Sequence, residues 1–245
     1  MKLDRITLVG MVAMTAVSTD LYLSGIPLIV AEFNATQADG QLTLGIFMIG
    51  ISLGQLIYGP LSDYYGRKPV LYVGLIAYIV ASLGCAMALS IQALWFARLC
   101  QALAAAAGPV LARAIVADLY SSREAAKIMA TLAASMALIP TIAPVLGSWM
   151  LYWFDWRIQF VALMLIGLLV LLSAIPLPES RPRIIGERLS FSKISRQFGL
   201  SLRHPIFIGY SLIAGAQFSA MFSWISLCSF VVIDQFNVRP EHFGY

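Results

Sequence analysis

The sequence predicts an all-α membrane protein, and three observations carry that prediction. Of 245 residues, 60% are hydrophobic and 11% charged, with a mean hydropathy of +0.84. A water-soluble domain of this length has too little interior to hide that much apolar surface. The apolar residues fall into runs long enough to cross a hydrocarbon core, which takes about 20 helical residues. The basic residues sit mostly between those runs, the placement that orients helices in a bilayer. A pI near 9.0 therefore reflects membrane orientation, and no nucleic-acid partner is expected.

Seven runs qualify as spans, at about 6–31, 42–61, 69–90, 91–117, 128–153, 158–177 and 205–233. The first follows Met1-Lys2-Leu3-Asp4-Arg5, a start that imitates a signal peptide. It continues through Asp20 to Pro27 with no small-residue cleavage site closing a short core, so it is expected to remain as a span. The connections are short except for the polar, basic stretch 180–204. That stretch divides the chain into a six-helix bundle over 1–179, a linker over 180–204, and a seventh helix opening an incomplete second bundle over 205–245.

Lysines and arginines in short connections stay on the cytoplasmic side during insertion. With the N-terminus inside, that side holds twelve of them: Lys2, Arg5, Arg67, Lys68, Arg123, Lys127, Arg181, Arg183, Arg188, Lys193, Arg196 and Arg203. The other side holds two, Arg157 and Arg239, so a cytoplasmic N-terminus is expected. Cys85, Cys100 and Cys228 all lie in apolar runs without CxxC spacing, which reads as packing and leaves no disulfide framework or metal site in view.

The most specific string is GPLSDYYGRKP, from Gly59 to Pro69, between the second and third spans. Gly59 is expected to allow close helix approach, Asp63 to place a carboxylate at the membrane edge, and Gly66 to permit a turn with positive φ. Arg67 and Lys68 anchor the turn, and Pro69 suits the first turn of the next helix. In the fourth span Arg98 and Arg113 lie fifteen residues apart, about 22 Å along a helix. An arginine at the depth of Arg98 costs at least a few kcal/mol unless it meets a cavity or a partner. Arg113 lies nearer the cytoplasm and suits a surface position or a charge network with Asp118.

Asp20 lies well inside the first span, where an ionised carboxylate is costly. By residue counting it shares the depth of Arg98, and a pair between them would make proton binding depend on what neighbours the acid. The fifth span carries Pro140, Pro144 and Gly147, and two prolines four residues apart are expected to bend it. Gly50 and Gly54, and the alanines before Gly108, read as helix-packing surfaces. Gln55, Gln101 and Gln217 are candidate substrate contacts or, more simply, bonds to neighbouring helices, and Tyr22 is a further candidate contact.

The string at Gly59–Pro69 resembles the loop signature of the major facilitator superfamily, G-x-L-x-D-x-x-G-R-K/R. That resemblance implies a cytoplasmic charge network in which Asp63 faces a helix end of the second half and Arg67 pairs with an acid at the end of the fourth helix, Asp118 being well placed. IPTIAPVLGS, Ile139 to Ser148, is similar to the family's antiporter motif, G-x-x-x-G-P-x-x-G-G. Pro144 and Gly147 agree, whereas Ile139, Ala143 and Ser148 replace glycines. With TDLYL in the first span, RLCQALA in the fourth and LPES after the sixth, the whole chain resembles the bicyclomycin and chloramphenicol resistance family of drug:proton antiporters. It would then end at the eighth of twelve spans.

The resemblance implies a major-facilitator-type six-helix bundle plus the first helix of a second, in a multi-pass protein of the bacterial inner membrane. It also implies proton-driven export of small, mostly apolar compounds, with Asp20 as the proton or cation site and Arg98 as its modulator. A metabolite transporter of the same superfamily and a non-transporting sensor on the same scaffold are the alternatives. The sequence shows no phosphate loop, metal-ligand cluster or nucleophile constellation, so no catalytic residue, metal or cofactor is expected.

Overall fold

A computed structural model describes residues 2–181, 199, 203–232 and 236 of the chain. Most of the 180–204 linker, with Arg183, Arg188, Lys193 and Arg196, lies outside the described residues, as do Arg239 and the end at Tyr245. Among the described residues, six helical spans are long and apolar enough to cross a membrane: Arg5–Glu32, Gln37–Tyr65, Arg67–Ala86, Ile91–Leu119, Ser122–Met150 and Arg157–Ala174.

The first span is two helices, not one. Helix α1, Lys2–Asp20, gives way to a single 3-10 turn at Leu23–Gly25 before α2, Ile26–Glu32. Pro27 stands in the first turn of α2 and has no N–H to donate backwards, so an uninterrupted α-helical ladder is not available there. Helix α3, Gln37–Tyr65, starts on a capping box: Asp39 N–H donates to Thr36 Oγ1 at 3.2 Å, and Thr36 N–H donates to Asp39 Oδ2 at 2.8 Å. It stops at Gly66, whose φ of 96° is a conformation that a side chain disfavours, so the tight turn expected there is formed.

Helix α4 is Arg67–Ala86. The third apolar run, expected to reach residue 90, ends earlier as helix, because Ser90 Oγ caps the following helix by accepting from Ala93 N–H at 3.2 Å. The fourth span comprises α5, Ile91–Ala105, and α6, Ala107–Leu119. Helix α7, Ser122–Met150, begins before the apolar run because its polar first turns are helical too, and it carries Pro140 and Pro144 inside one continuous element. Helix α8 is Arg157–Ala174, and α9, Pro205–Phe230, lies against α2 and α3 with its described side chains exposed.

Small residues decide which helices touch. A Cβ on Gly50 would stand 2.6 Å from Ala102 Cβ, and one on Gly54 2.5 Å from Ala106 Cβ, so α3 is seated on the fourth span through the G-x-x-x-G face. Gly108 lies directly against the Met11 carbonyl, and Gly147 against that of Leu21. The two contacts place the backbone of α1 and of the turn after it closer to their neighbours than an alanine would allow. Gly59 does not take this role: the space beside it is open, and the close approach lies one and two turns earlier, at Gly54 and Gly50. The first and fourth spans are the most buried, each 67%, and α7 the least at 17%, so the described bundle is built around α1, α5 and α6.

Candidate functional site

Two polar assemblies stand out from the apolar helices, one at the end of the bundle that holds the Gly59–Pro69 string, the other deep inside. At the first, Arg67 is 5% exposed and is surrounded by acceptors. Its Nε donates to Asp118 Oδ2 at 2.9 Å, and its Nη1 to Asp63 Oδ1 at 2.7 Å and Ser62 Oγ at 2.6 Å. Glu179 closes the ring from the segment after α8, accepting the N–H groups of Arg67 at 2.9 Å and Lys68 at 3.0 Å. Those are N–H groups that the first turn of α4 leaves without helical partners, and a carboxylate there also opposes the positive end of the helix dipole.

Arg181 reaches Asp63 Oδ1 at 3.1 Å, Ser180 Oγ donates to Asp118 Oδ2 at 3.2 Å, and Lys68 Nζ donates to the Ile175 carbonyl at 2.7 Å. The assembly therefore ties the α3–α4 turn to the ends of α6 and α8. Arg113 takes no part in it: the side chain is exposed on α6 and forms no ion pair among the described residues. Sequence reading missed Glu179 as a partner, although LPES put a carboxylate immediately past the sixth span.

Inside the bundle Arg98 is completely buried and does not reach for the surface. Its guanidinium carbon lies 4.1 Å from the Tyr22 ring centroid and 4.0 Å from that of Phe47, with Phe160 at 5.7 Å. Such desolvated cation–π contacts contribute about 2 kcal/mol or more. Nη1 donates to Gln101 Oε1 at 2.7 Å and to the Ser18 carbonyl at 3.1 Å. Ser18 is in the last turn of α1, where carbonyls lack helical donors and the dipole is negative, so the cation caps a helix end. Gln101 Nε2 is held in turn by Ser82 Oγ at 2.8 Å, and Tyr22 Oη bonds Thr43 Oγ1 at 3.0 Å. Nε and Nη2 of Arg98 have no partner.

Asp20 is 5% exposed, but the pair anticipated from equal depth is not formed. Arg98 is committed to the Ser18 carbonyl, the Gln101 amide and the rings. Asp20 follows Ser18 by two residues, a rotation of about 200° around the helix, which turns its side chain to nearly the opposite face. Gln101 is wholly buried and orients Arg98; Gln217 is exposed on α9. In the antiporter string Gly147 meets the Leu21 carbonyl just after α1, and Pro144 and Pro140 lie about one and two turns before it. Cys85 is buried and its thiol faces Gln101 Oε1 at 3.8 Å.

A bundle of apolar spans with a paired charge cluster at one end and a buried acid and cation within it is a multi-pass membrane protein in class. The chain matches the Major Facilitator Superfamily over residues 7–240 and belongs to that family. It is 35% identical over 248 residues to an uncharacterized MFS-type transporter of Bacillus subtilis, the match covering 98% of this chain and 62% of that protein. It is 30% identical to a bicyclomycin resistance protein homolog of Haemophilus influenzae, covering 92% and 57% respectively. Against a chloramphenicol resistance protein of Pseudomonas aeruginosa the identity is 37%, over 61% of this chain and 36% of that one. In these matches the chain spans less than two thirds of the length of its curated relatives. Among solved structures, the fold is similar to a D-xylose-proton symporter, with a TM-score of 0.64, 16% identity, and coverage of 98% and 64%. These relatives are transporters, not enzymes.

Proposed function

We propose that the protein is a proton-coupled exporter of small, mostly apolar, drug-like compounds across the bacterial inner membrane, with Asp20 carrying the proton and Arg98 modulating it. The observation that supports this most directly is the nearly complete burial of Asp20 at the end of α1, immediately before the break in the first span. A carboxylate held out of water has a reason to gain and lose a proton as its access to water changes. Arg98 stabilises the same helix end through the Ser18 carbonyl, so any movement of α1 relative to α5 alters the field around the acid. The drug-resistance relatives supply the substrate class. The charged assembly around Arg67 is the cytoplasmic latch, and Asp63, paired with Arg67 and Arg181 yet 49% exposed at its side chain, is the member placed to meet the second half.

The test uses the intact transporter in proteoliposomes, with radiolabelled chloramphenicol as the probe and an imposed pH gradient. Asp20→Asn is expected to abolish concentrative transport, because an amide cannot exchange a proton, while downhill flux persists. Concentrative transport by the variant would show that the coupling acid lies elsewhere, and no transport of the probe by the unaltered protein would defeat drug export of this kind. Orientation is checked with a cysteine reagent that does not cross membranes. It should label a cysteine at Asn34 from outside and spare one at Ser122, and the reverse pattern would invert the topology.

A further inference from the structure

The break in the first span is gripped from α8, by a residue that no motif marks. Gln159 is completely buried, and its Nε2 donates both to Ser24 Oγ at 3.1 Å and to the Gly147 carbonyl at 3.0 Å. Because a carbonyl only accepts, the bond to Gly147 fixes which end of the amide is nitrogen. One side chain thus joins the 3-10 turn to α7 at the residue that packs on the Leu21 carbonyl. Gly25 lies so close to Gln159 Oε1 that an added Cβ would collide with it and would stand 3.3 Å from Trp156 Cβ. Oε1 itself has no hydrogen-bond partner, and neither does the buried hydroxyl of Ser148.

The rest of the first turn of α8 holds the other end of α2. Arg157 binds Glu32 through two bonds, Nη2 to Oε1 at 2.8 Å and Nη1 to Oε2 at 3.0 Å, and Trp156 Nε1 donates to Glu32 Oε2 at 2.6 Å. Phe160 packs on Tyr22 with ring centroids 5.5 Å apart. Helix α2 is therefore fastened at both ends to one turn of α8, whereas the end of α1 is fastened to Arg98. The two halves of the span belong to different attachments, and Asp20 stands at their junction.

We propose that Gln159 is a positioning residue for the proton site: its amide sets the angle between α1 and α2, and through that hinge the placement of the Asp20 carboxylate. The absence of a side chain at Gly25 is what lets the amide sit against the turn, and the unpaired Oε1 lets it exchange partners as the hinge moves. This rests on Asp20 being the coupling acid, and the experiment separates the two claims.

Gln159→Leu removes the amide, and Gly25→Ala displaces it while keeping it present. In proteoliposomes of the intact transporter with labelled chloramphenicol, both variants are expected to lose tenfold or more in accumulation driven by a pH gradient. Downhill flux should stay within threefold, and the melting temperature should fall only modestly as the buried bonds are lost. Hydrogen exchange over residues 21–25 should rise in Gln159→Leu while exchange in α4 does not. Accumulation within twofold of the unaltered protein in both variants would overturn the proposal. So would a parallel fall of downhill flux and melting temperature, the mark of a purely structural residue. Asp20→Asn is measured beside them: if it alone fails to accumulate the probe, only the role of Gln159 is lost, and if it accumulates normally, the coupling reading itself is lost.

Discussion

Arg67 and Arg98 are both almost entirely out of water, yet the structure satisfies them in opposite ways. Arg67 meets two carboxylates and a hydroxyl, and its own backbone N–H is taken by a third carboxylate. Arg98 meets no carboxylate: it has two aromatic faces, a helix-end carbonyl and a glutamine, with two donors left over. A cation closed in by fixed anions is a fastener, because breaking it leaves buried charge uncompensated. One held by dipoles and π faces keeps spare donors, so it can change partners at little cost. The first arrangement suits a junction that stays shut for part of a cycle, the second a site whose electrostatics must alter.

The largest expected effect in this contrast is that of Arg67→Ala, which leaves Asp118 with Ser180 and Asp63 with Arg181 and should cost about 2–3 kcal/mol. Thermal unfolding in detergent would show it as a clear drop in melting temperature, with transport lowered too. An unchanged melting temperature would reduce the string around it to an ordinary turn. Arg98→Leu should be milder for stability, about 1–2 kcal/mol, since the loss of cation–π contacts is offset by removing two unpaired donors. Its effect on gradient-driven transport should nonetheless be the more severe of the two. Equal damage to both properties would erase the distinction drawn here.

Asp118→Asn keeps an acceptor for Arg67 Nε but removes the charge, for an expected loss of about 1–2 kcal/mol. Smallest should be Glu179→Gln, which retains one carbonyl oxygen for the first turn of α4 and forfeits a single N–H bond, worth about 1 kcal/mol. A loss from Glu179→Gln as great as that from Arg67→Ala would make the helix cap, and not the ion pair, the centre of the assembly.

Charge placement and turn chemistry made the end of the bundle readable in advance. Gly66 announces a positive φ, and the resemblance of its string to a known loop signature implied an acid for Arg67 at the end of the fourth span, where Asp118 stands. The interior was less readable. Counting gave Asp20 and Arg98 a common depth, but depth is one coordinate of a helical position and azimuth is another. The azimuth depends on how α1 turns against the fourth span, and that is set where Gly108 of α6 meets the Met11 carbonyl. Gly59 misled for a related reason: a glycine permits close approach without requiring it, and the helices converge at Gly50 and Gly54 instead. Gln159 gave no signal at all, since a lone glutamine in an apolar run looks the same whether it bonds a neighbour or binds a ligand.

By itself, then, the sequence determined the apolar spans, the segregation of basic residues between them, the signature turn and the presence of a buried acid. These follow from hydrophobicity, charge and backbone preference, which act within one helix or one loop. Only the tertiary structure decided that the first span breaks after Asp20, that Arg98 caps α1 and does not pair with the acid, and that α8 holds α2 at both ends. Those outcomes depend on which helix faces meet, and close packing of glycine against backbone settles that across distances no local pattern spans.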